Sequence, residues 1–189
     1  MSIVLIKPTL EHLAAYLSAL ERGWSPDNLR DEARLEEREI IERDPETFLL
    51  AMDDRDGRAG PIRLPDGSFV PRLPGLHRWI WDGDFAGSVG FRWQPGTPEL
   101  PPYCLGHIGY SVVPWKRGRG YAKEALALML PEARNEGLPY VEITTDPDNL
   151  ASQRVIVANG GVLVERFASG AEYGETKKLR YRINLAPSS

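Results

Sequence analysis

The first apolar run of the chain, Val4–Ile6, is short and closed by Pro8, which predicts a strand. Thr9 then stands where a helix N-cap belongs, and Leu10, Leu13, Ala14 and Leu17 share one face at helical spacing. A second helical stretch is predicted over about residues 26–43, where a thin apolar stripe (Leu29, Ala33, Ile40, Ile41) runs among Glu and Arg. Pro45 opens a further turn of helix through Phe48, Leu49 and Leu50. Residues 53–60 read as loop by composition. Pro65-Asp66-Gly67 is a turn signal between residues 62–64 and 68–70, and Asp82-Gly83-Asp84 another between 77–81 and 85–93, so two hairpins are predicted. Residues 95–102 form a proline-rich loop.

Beyond this loop the pattern alternates cleanly. A strand is predicted over 106–113, then a helix over 119–135 with Ala122, Ala125, Leu126, Met129 and Leu130 on one face. Pro131 is expected to kink that helix and Gly137 to end it. A strand over 140–145 precedes a short helix capped by Asp148 or Asn149 and stopped by Gly160-Gly161. Strands over 162–167 and 177–185 close the chain. No internal repeat interrupts this order, so one domain over 1–189 is expected, of α/β or α+β class around one mixed central sheet.

Composition narrows the function classes. The 189 residues are 42% hydrophobic and 26% charged, ordinary for a globular domain with a self-sufficient core. A net charge of −4 argues against a general electrostatic grip on nucleic acid. The single cysteine, Cys104, can form neither an internal disulfide nor a Cys-based zinc site, so a reducing compartment and no metal are expected. No leader-like N-terminus or membrane-length apolar run is seen, which predicts a cytoplasmic protein without membrane attachment.

The chemistry concentrates between the 106–113 strand and the following helix, in Val112-Val113-Pro114-Trp115-Lys116-Arg117-Gly118-Arg119-Gly120-Tyr121-Ala122. Glycines there allow close backbone approach to a ligand. The N–H groups of a helix's first turn converge and the helix dipole adds positive potential, so the segment can cradle a pyrophosphate. Lys116, Arg117, Arg119 and Lys123 add cations. A plain structural elbow, or an RNA contact through the Arg-Gly-Arg-Gly run, are the competing readings. The segment is neither a Walker A loop nor a GxGxxG fingerprint.

Arg117-Gly118-Arg119-Gly120-Tyr121-Ala122 resembles the [QR]-x-x-G-x-[GA] signature of the GNAT N-acetyltransferase superfamily. Gly106-His107-Ile108-Gly109-Tyr110-Ser111-Val112 is similar to that family's fourth strand. The run from Asp148-Asn149-Leu150-Ala151-Ser152 to Asn159-Gly160-Gly161 is similar to its later strand-to-helix segment. The likeness is strong over about residues 79–185 and weak over 27–72, where such enzymes vary and build the acceptor pocket.

The resemblance implies an acyl-CoA N-acyltransferase fold whose fourth and fifth strands splay apart to admit the pantetheine arm. It implies acetyl-CoA as co-substrate, an amine-bearing small molecule or peptide as acceptor, and compatibility with a homodimer. Backbone groups of Ser111, Val112 and Val113 would face pantetheine. Arg117, Gly118, Arg119, Gly120, Tyr121 and Ala122 would hold the pyrophosphate, and Asn149 and Ser152 would line the cofactor from the other side. The amine would attack the thioester directly, with a backbone N–H near Val112 or Val113 for the oxyanion. His107 is a candidate base or a packed structural residue, with Glu142 and Glu99 as carboxylate alternatives, a water chain with no single base as another, and Tyr110 shaping the pocket. Many relatives carry a Tyr acid on the helix after the Asn. Here that position is Ile156, with Ser152 as a nearby hydroxyl. Trp24, the 27–43 helix, Trp79, Trp81, Trp93 and the 95–102 loop are expected on the acceptor side. The acids Glu32, Glu36, Glu37 and Glu39 either attract a cationic acceptor or form a solvated helix face. A non-catalytic acyl-CoA-binding module is the alternative function.

Overall fold

In the computed structural model, which describes residues 2–185, the strands in chain order are β1 (Val4–Ile6), β2 (Asp53–Asp54), β3 (Ile62–Arg63), β4 (Phe69–Val70), β5 (Gly75–Trp81), β6 (Phe85–Arg92), β7 (Ile108–Val112), β8 (Tyr140–Thr145), β9 (Val162–Ala168) and β10 (Lys177–Asn184). The helices are α1 (Leu13–Glu21), α2 (Ala33–Arg43), α3 (Pro45–Ala51), α4 (Tyr121–Asn135) and α5 (Leu150–Ala158). The central sheet divides between β7 and β8, where the fourth and fifth strands were expected to splay, into two halves whose ladders are all antiparallel. One has the order β1-β5-β6-β7, with β2 beside β5, and the other the order β8-β10-β9. β3 and β4 form the small separate hairpin.

The two faces of this layer bury different side chains. On one face α4 sinks Ala125, Leu126, Met129 and Ala133 into a core that also holds Val89, Ile108, Val141, Ile143, Ile156 and Tyr181. The alternation of β8, whose Val141, Ile143 and Thr145 are buried, follows from that packing. On the other face α1, α2 and α3 close over an aromatic cluster of Tyr16, Trp24, Phe48, Trp79 and Phe85. Tyr16 stacks on Trp79 with ring centroids 4.7 Å apart. Trp24, Trp79 and Trp93 are thus core residues, while Trp81 is only partly buried. No helix among the described residues is long and apolar enough to cross a membrane.

Local chemistry displaces two expected helices. Thr9 Oγ1 meets the ring Nδ1 of His12 at 2.8 Å instead of capping a backbone N–H, and residues 10–12 form a 3-10 turn. The buried face of α1 is therefore Leu13, Tyr16, Ala19 and Leu20, with Leu10 exposed. The helix expected from residue 26 begins only at Ala33. Before it, Ser25 and Asp27 accept N–H bonds from Asp27 and Leu29, holding the backbone in turns. α4 continues through Pro131 to Asn135.

β7 and β8 share no ladder among the described residues and touch at one end. There the His107 N–H donates to the Glu142 carbonyl at 2.7 Å, and the Glu142 N–H donates to His107 Nδ1 at 3.0 Å. Gly106 makes this approach feasible, because a Cβ on it would lie 3.1 Å from Glu142 O and 3.3 Å from Thr144 N. From this apex toward Val112 no hydrogen-bond ladder joins the two sheets.

Candidate active site

The outer edge of β7 lines the gap. Val113 N–H donates to Ala86 O on β6 at 3.0 Å. Antiparallel alternation then turns the peptide groups of Val112 and Tyr110 outward, and ties Ser111, the partner of Ser88, to β6. Two side chains meet that outward edge. Asn28 Nδ2 donates to Tyr110 O at 3.1 Å, and Arg117 Nε donates to Val112 O at 3.1 Å. Of the three backbone positions expected to face pantetheine, only Val112 lies on the open edge. Val113 N–H is also spent on β6, so of the two considered only the Val112 N–H lies on the outward edge. Ser111 instead accepts the Trp24 indole N–H on its Oγ at 2.9 Å.

The segment that follows has the form a phosphate cradle requires. Gly120 caps α4 at φ +82° with no side chain of its own, and Gly118 is left-handed at φ +78°. No other group lies within 4 Å of where a Cβ would stand at either glycine, so their surroundings are open. Arg117 and Arg119 are exposed beside them, and Tyr121 and Ala122 open the helix. Lys116 departs from expectation. It is buried, and its Nζ is paired with Asp82 Oδ1 at 2.7 Å, while the Tyr121 hydroxyl donates to Asp82 Oδ2 at 2.8 Å. The β5–β6 turn therefore grips the cradle from behind, and Lys116 supplies no cation to a phosphate.

On the α5 side Asn149 caps its helix by accepting from Ser152 N–H at 3.1 Å. Ser152 Oγ and the Tyr110 hydroxyl lie 2.8 Å apart, so a β7 side chain reaches across to α5. Burial pushes the Tyr110 phenol up to about 12, which keeps its proton in place. Ile156, where a Tyr was sought, is fully buried.

The geometry does not support His107 as a base. Its Nδ1 accepts from Glu142 N–H, so its Nε2 carries the proton, 3.1 Å from Pro98 O. Burial pushes the ring down to about 4. Neither nitrogen is free for a substrate proton. Glu142 is held by Arg182 at 2.7 Å and lies 3.7 Å from Arg180. Glu99 is exposed and accepts the Thr97 hydroxyl, and Cys104 Sγ rests 3.5 Å from Gly106 O.

One carboxylate stands apart from these. Ala33, Glu37 and Ile41 follow one another at four-residue spacing, so Glu37 stands half-buried between the two buried residues of α2. Its Oε2 accepts the Tyr16 hydroxyl. Burial pushes its carboxyl up to about 7, against the Tyr16 hydrogen bond and Arg72, and Asp27 and Glu36 push the same way as burial. Glu36 is neutralised by Arg30 at 2.6 Å and Arg63 at 2.7 Å, whereas Glu37 has no such partner among the described residues. Sequence reasoning grouped Glu37 with the solvated acids. Its place in the apolar stripe was the signal. A depression of about 570 Å³ near Lys7, Thr47 and Arg55 lies away from the gap, and its charges are satisfied by one another, Lys7 to Asp53 at 3.0 Å among them.

Comparison with known proteins bears on this arrangement. The family model described as an acetyltransferase (GNAT) domain matches residues 3–162. No curated protein sequence matches the chain. A RimL ribosomal L7/L12 alpha-N-protein acetyltransferase solved with coenzyme A is 15% identical, with TM-score 0.66 over 98% of this chain and 95% of that one. Mycobacterium smegmatis RimJ with CoA-disulfide is 18% identical, with TM-score 0.65 over 99% and 85%. The Microcin C7 self immunity acetyltransferase MccE, solved with acetyl-CoA and AMP, is 14% identical, with TM-score 0.64 over 97% and 92%. At these identities the likeness is one of fold.

Proposed function

The chain belongs to the GNAT acetyltransferase family and is an acyltransferase, and we propose that it moves an acetyl group from acetyl-CoA directly to a primary amine. The observation that carries this reading is the open outer edge of β7, running from the His107–Glu142 apex to the uncapped start of α4. The residues present fit the co-substrate. Gly118 and Gly120 leave open space at a helix start, and Arg117 and Arg119 stand exposed beside it. The neighbours solved with acetyl-CoA or CoA support the same assignment.

When bound, acetyl-CoA supplies the activated acetyl thioester. Gly118 to Ala122 receive the pyrophosphate with Arg117 and Arg119. Val112 presents its outward N–H to the carbonyl oxygen, where negative charge develops during attack. The Tyr110–Ser152 hydroxyl pair donates toward the departing thiolate, the role that a helix Tyr would otherwise fill. Asn28 and Arg117 release the carbonyls of Tyr110 and Val112 as pantetheine takes their place. Cys104 takes no covalent part.

Isothermal titration of acetyl-CoA against the wild type and Arg117→Glu, followed by a free-thiol assay over a panel of primary amines, tests this reading. Micromolar binding lost in Arg117→Glu, with intersecting initial-rate lines, is expected. Absence of binding at millimolar acetyl-CoA would overturn it, and parallel lines would replace direct transfer with a covalent intermediate.

A further inference from the structure

Resting on that reading, we infer that Glu37 accepts the proton of the incoming amine and that Asp27 is a second carboxylate that holds the ammonium as it arrives. The amine arrives as an ammonium and must lose a proton before its nitrogen can attack. His107 and Glu142 are both engaged elsewhere and Glu99 is exposed and bonded to the Thr97 hydroxyl, which turns attention to the wall opposite β7. The wall facing the β7 edge is the segment before α2. Asn28 touches Tyr110 O, Asp27 precedes it, and Asp27 is close enough to raise the carboxyl of Glu37. Trp24 in the same segment bonds Ser111 on β7, and its ring lies 5.6 Å from that of Tyr16, whose hydroxyl is on Glu37. Two carboxylates without ion-pair partners among the described residues, Asp27 and Glu37, thus belong to the wall whose Asn28 reaches the edge.

The groups facing Glu37 are Tyr16 from α1, Asp27 from the preceding loop, Glu36 from α2 itself and Arg72 from the segment before β5. Tyr16 is a neutral donor and holds the carboxylate in place. In the step, a proton passes from R–NH3⁺ to the Glu37 carboxylate. The freed amine forms the C–N bond as the C–S bond breaks. The second amine proton reaches the thiolate through Tyr110 and Ser152, giving the free thiol. Glu37 then returns its proton to solvent.

Glu37→Gln tests the assignment. The variant should bind acetyl-CoA with unchanged Kd and lower kcat by about 100-fold or more. It should also lose the acid limb of the kcat/KM–pH profile while its melting temperature at pH 8 does not fall. Glu37→Asp should restore part of the rate, and Asp27→Asn should raise KM for a cationic amine more than it lowers kcat. Independently of any acceptor, the carboxyl carbon-13 signal missing from Glu37→Gln should titrate near pH 7 in the wild type. A midpoint near the ordinary glutamate value, or a Glu37→Gln enzyme with unaltered rate and acid limb, would overturn the inference. Loss of acetyl-CoA binding in the wild type would instead strike the reading beneath it.

Discussion

His107 and Glu142 are bonded to each other twice, backbone N–H to carbonyl at 2.7 Å and backbone N–H to ring nitrogen at 3.0 Å. The imidazole thereby completes the β7–β8 junction where a ladder would otherwise have to continue, and it fixes where the two sheets begin to separate.

Removal of that ring should weaken the junction and leave proton transfer intact. His107→Ala strands the Glu142 N–H in a buried place, at a cost of roughly 1–3 kcal/mol plus the lost packing. Thermal unfolding should register the loss, while the pH–rate profile keeps its shape at reduced amplitude. A flattened profile with an unchanged melting temperature would return His107 to the role of base.

Stability should fall between pH 7 and pH 5. His107 and His77 are both pushed down to about 4 by burial. For a group depressed on folding, stability is full above the ordinary value of 6.5 and is lost as pH falls toward the folded value. Each ring then contributes a loss of about 2 kcal/mol over this interval. Glu37, raised to about 7, has the opposite sign, because its stability is full below 4.5 and lost as pH rises through 7. It offsets about 2 kcal/mol, so the wild type should lose about 2 kcal/mol and Glu37→Gln about 4 kcal/mol. Urea unfolding of both proteins at the two pH values reads the difference. Equal losses would remove Glu37 from the balance.

Asp82 should govern cofactor affinity without touching the cofactor. Asp82→Ala leaves the buried Lys116 ammonium without its close partner and frees the Tyr121 hydroxyl. Breaking such a buried pair costs on the order of 3–5 kcal/mol. Calorimetry should show weaker acetyl-CoA binding together with a lower melting temperature. Wild-type affinity in the variant would show that the cradle needs no support from the β5–β6 turn.

Tyr110→Phe should lower kcat about tenfold or more while leaving the acetyl-CoA Kd within twofold, consistent with a hydroxyl that acts on the leaving group. Unfolding stability should drop by about 1 kcal/mol for the lost bond to Ser152. An unaltered kcat would pass the protonation of the thiolate to water.

The part of the fold from β7 to α5 was legible because each element carries its own period and punctuation. Tyr140–Thr145 alternates, α4 shows its apolar face although it begins two residues after the expected Arg119, and Gly137 and Asn149 mark ends that the backbone respects. What was not legible depends on partners distant in sequence. Lys116 reads as a free cation until Asp82, 34 residues earlier, folds onto it. His107 reads as a base until Pro98 and Glu142 occupy both nitrogens. The start of α2 was misplaced because Ser25 and Asp27 compete for backbone bonds in a stretch whose composition favours helix. Glu37 lies between these cases. Its stripe position is local, but its isolation from every arginine that pairs Glu36 is tertiary.

The side chains of Asn28 and Arg117 on the carbonyls of β7 have a consequence for the protein before any ligand arrives. An unpaired terminal strand is a template on which another chain can add itself. Here two polar side chains occupy acceptors along that strand, so the groove proposed for pantetheine is kept closed to a neighbouring molecule's backbone. Substitution of Asn28 would then be felt first as aggregation on storage, even before any change in turnover.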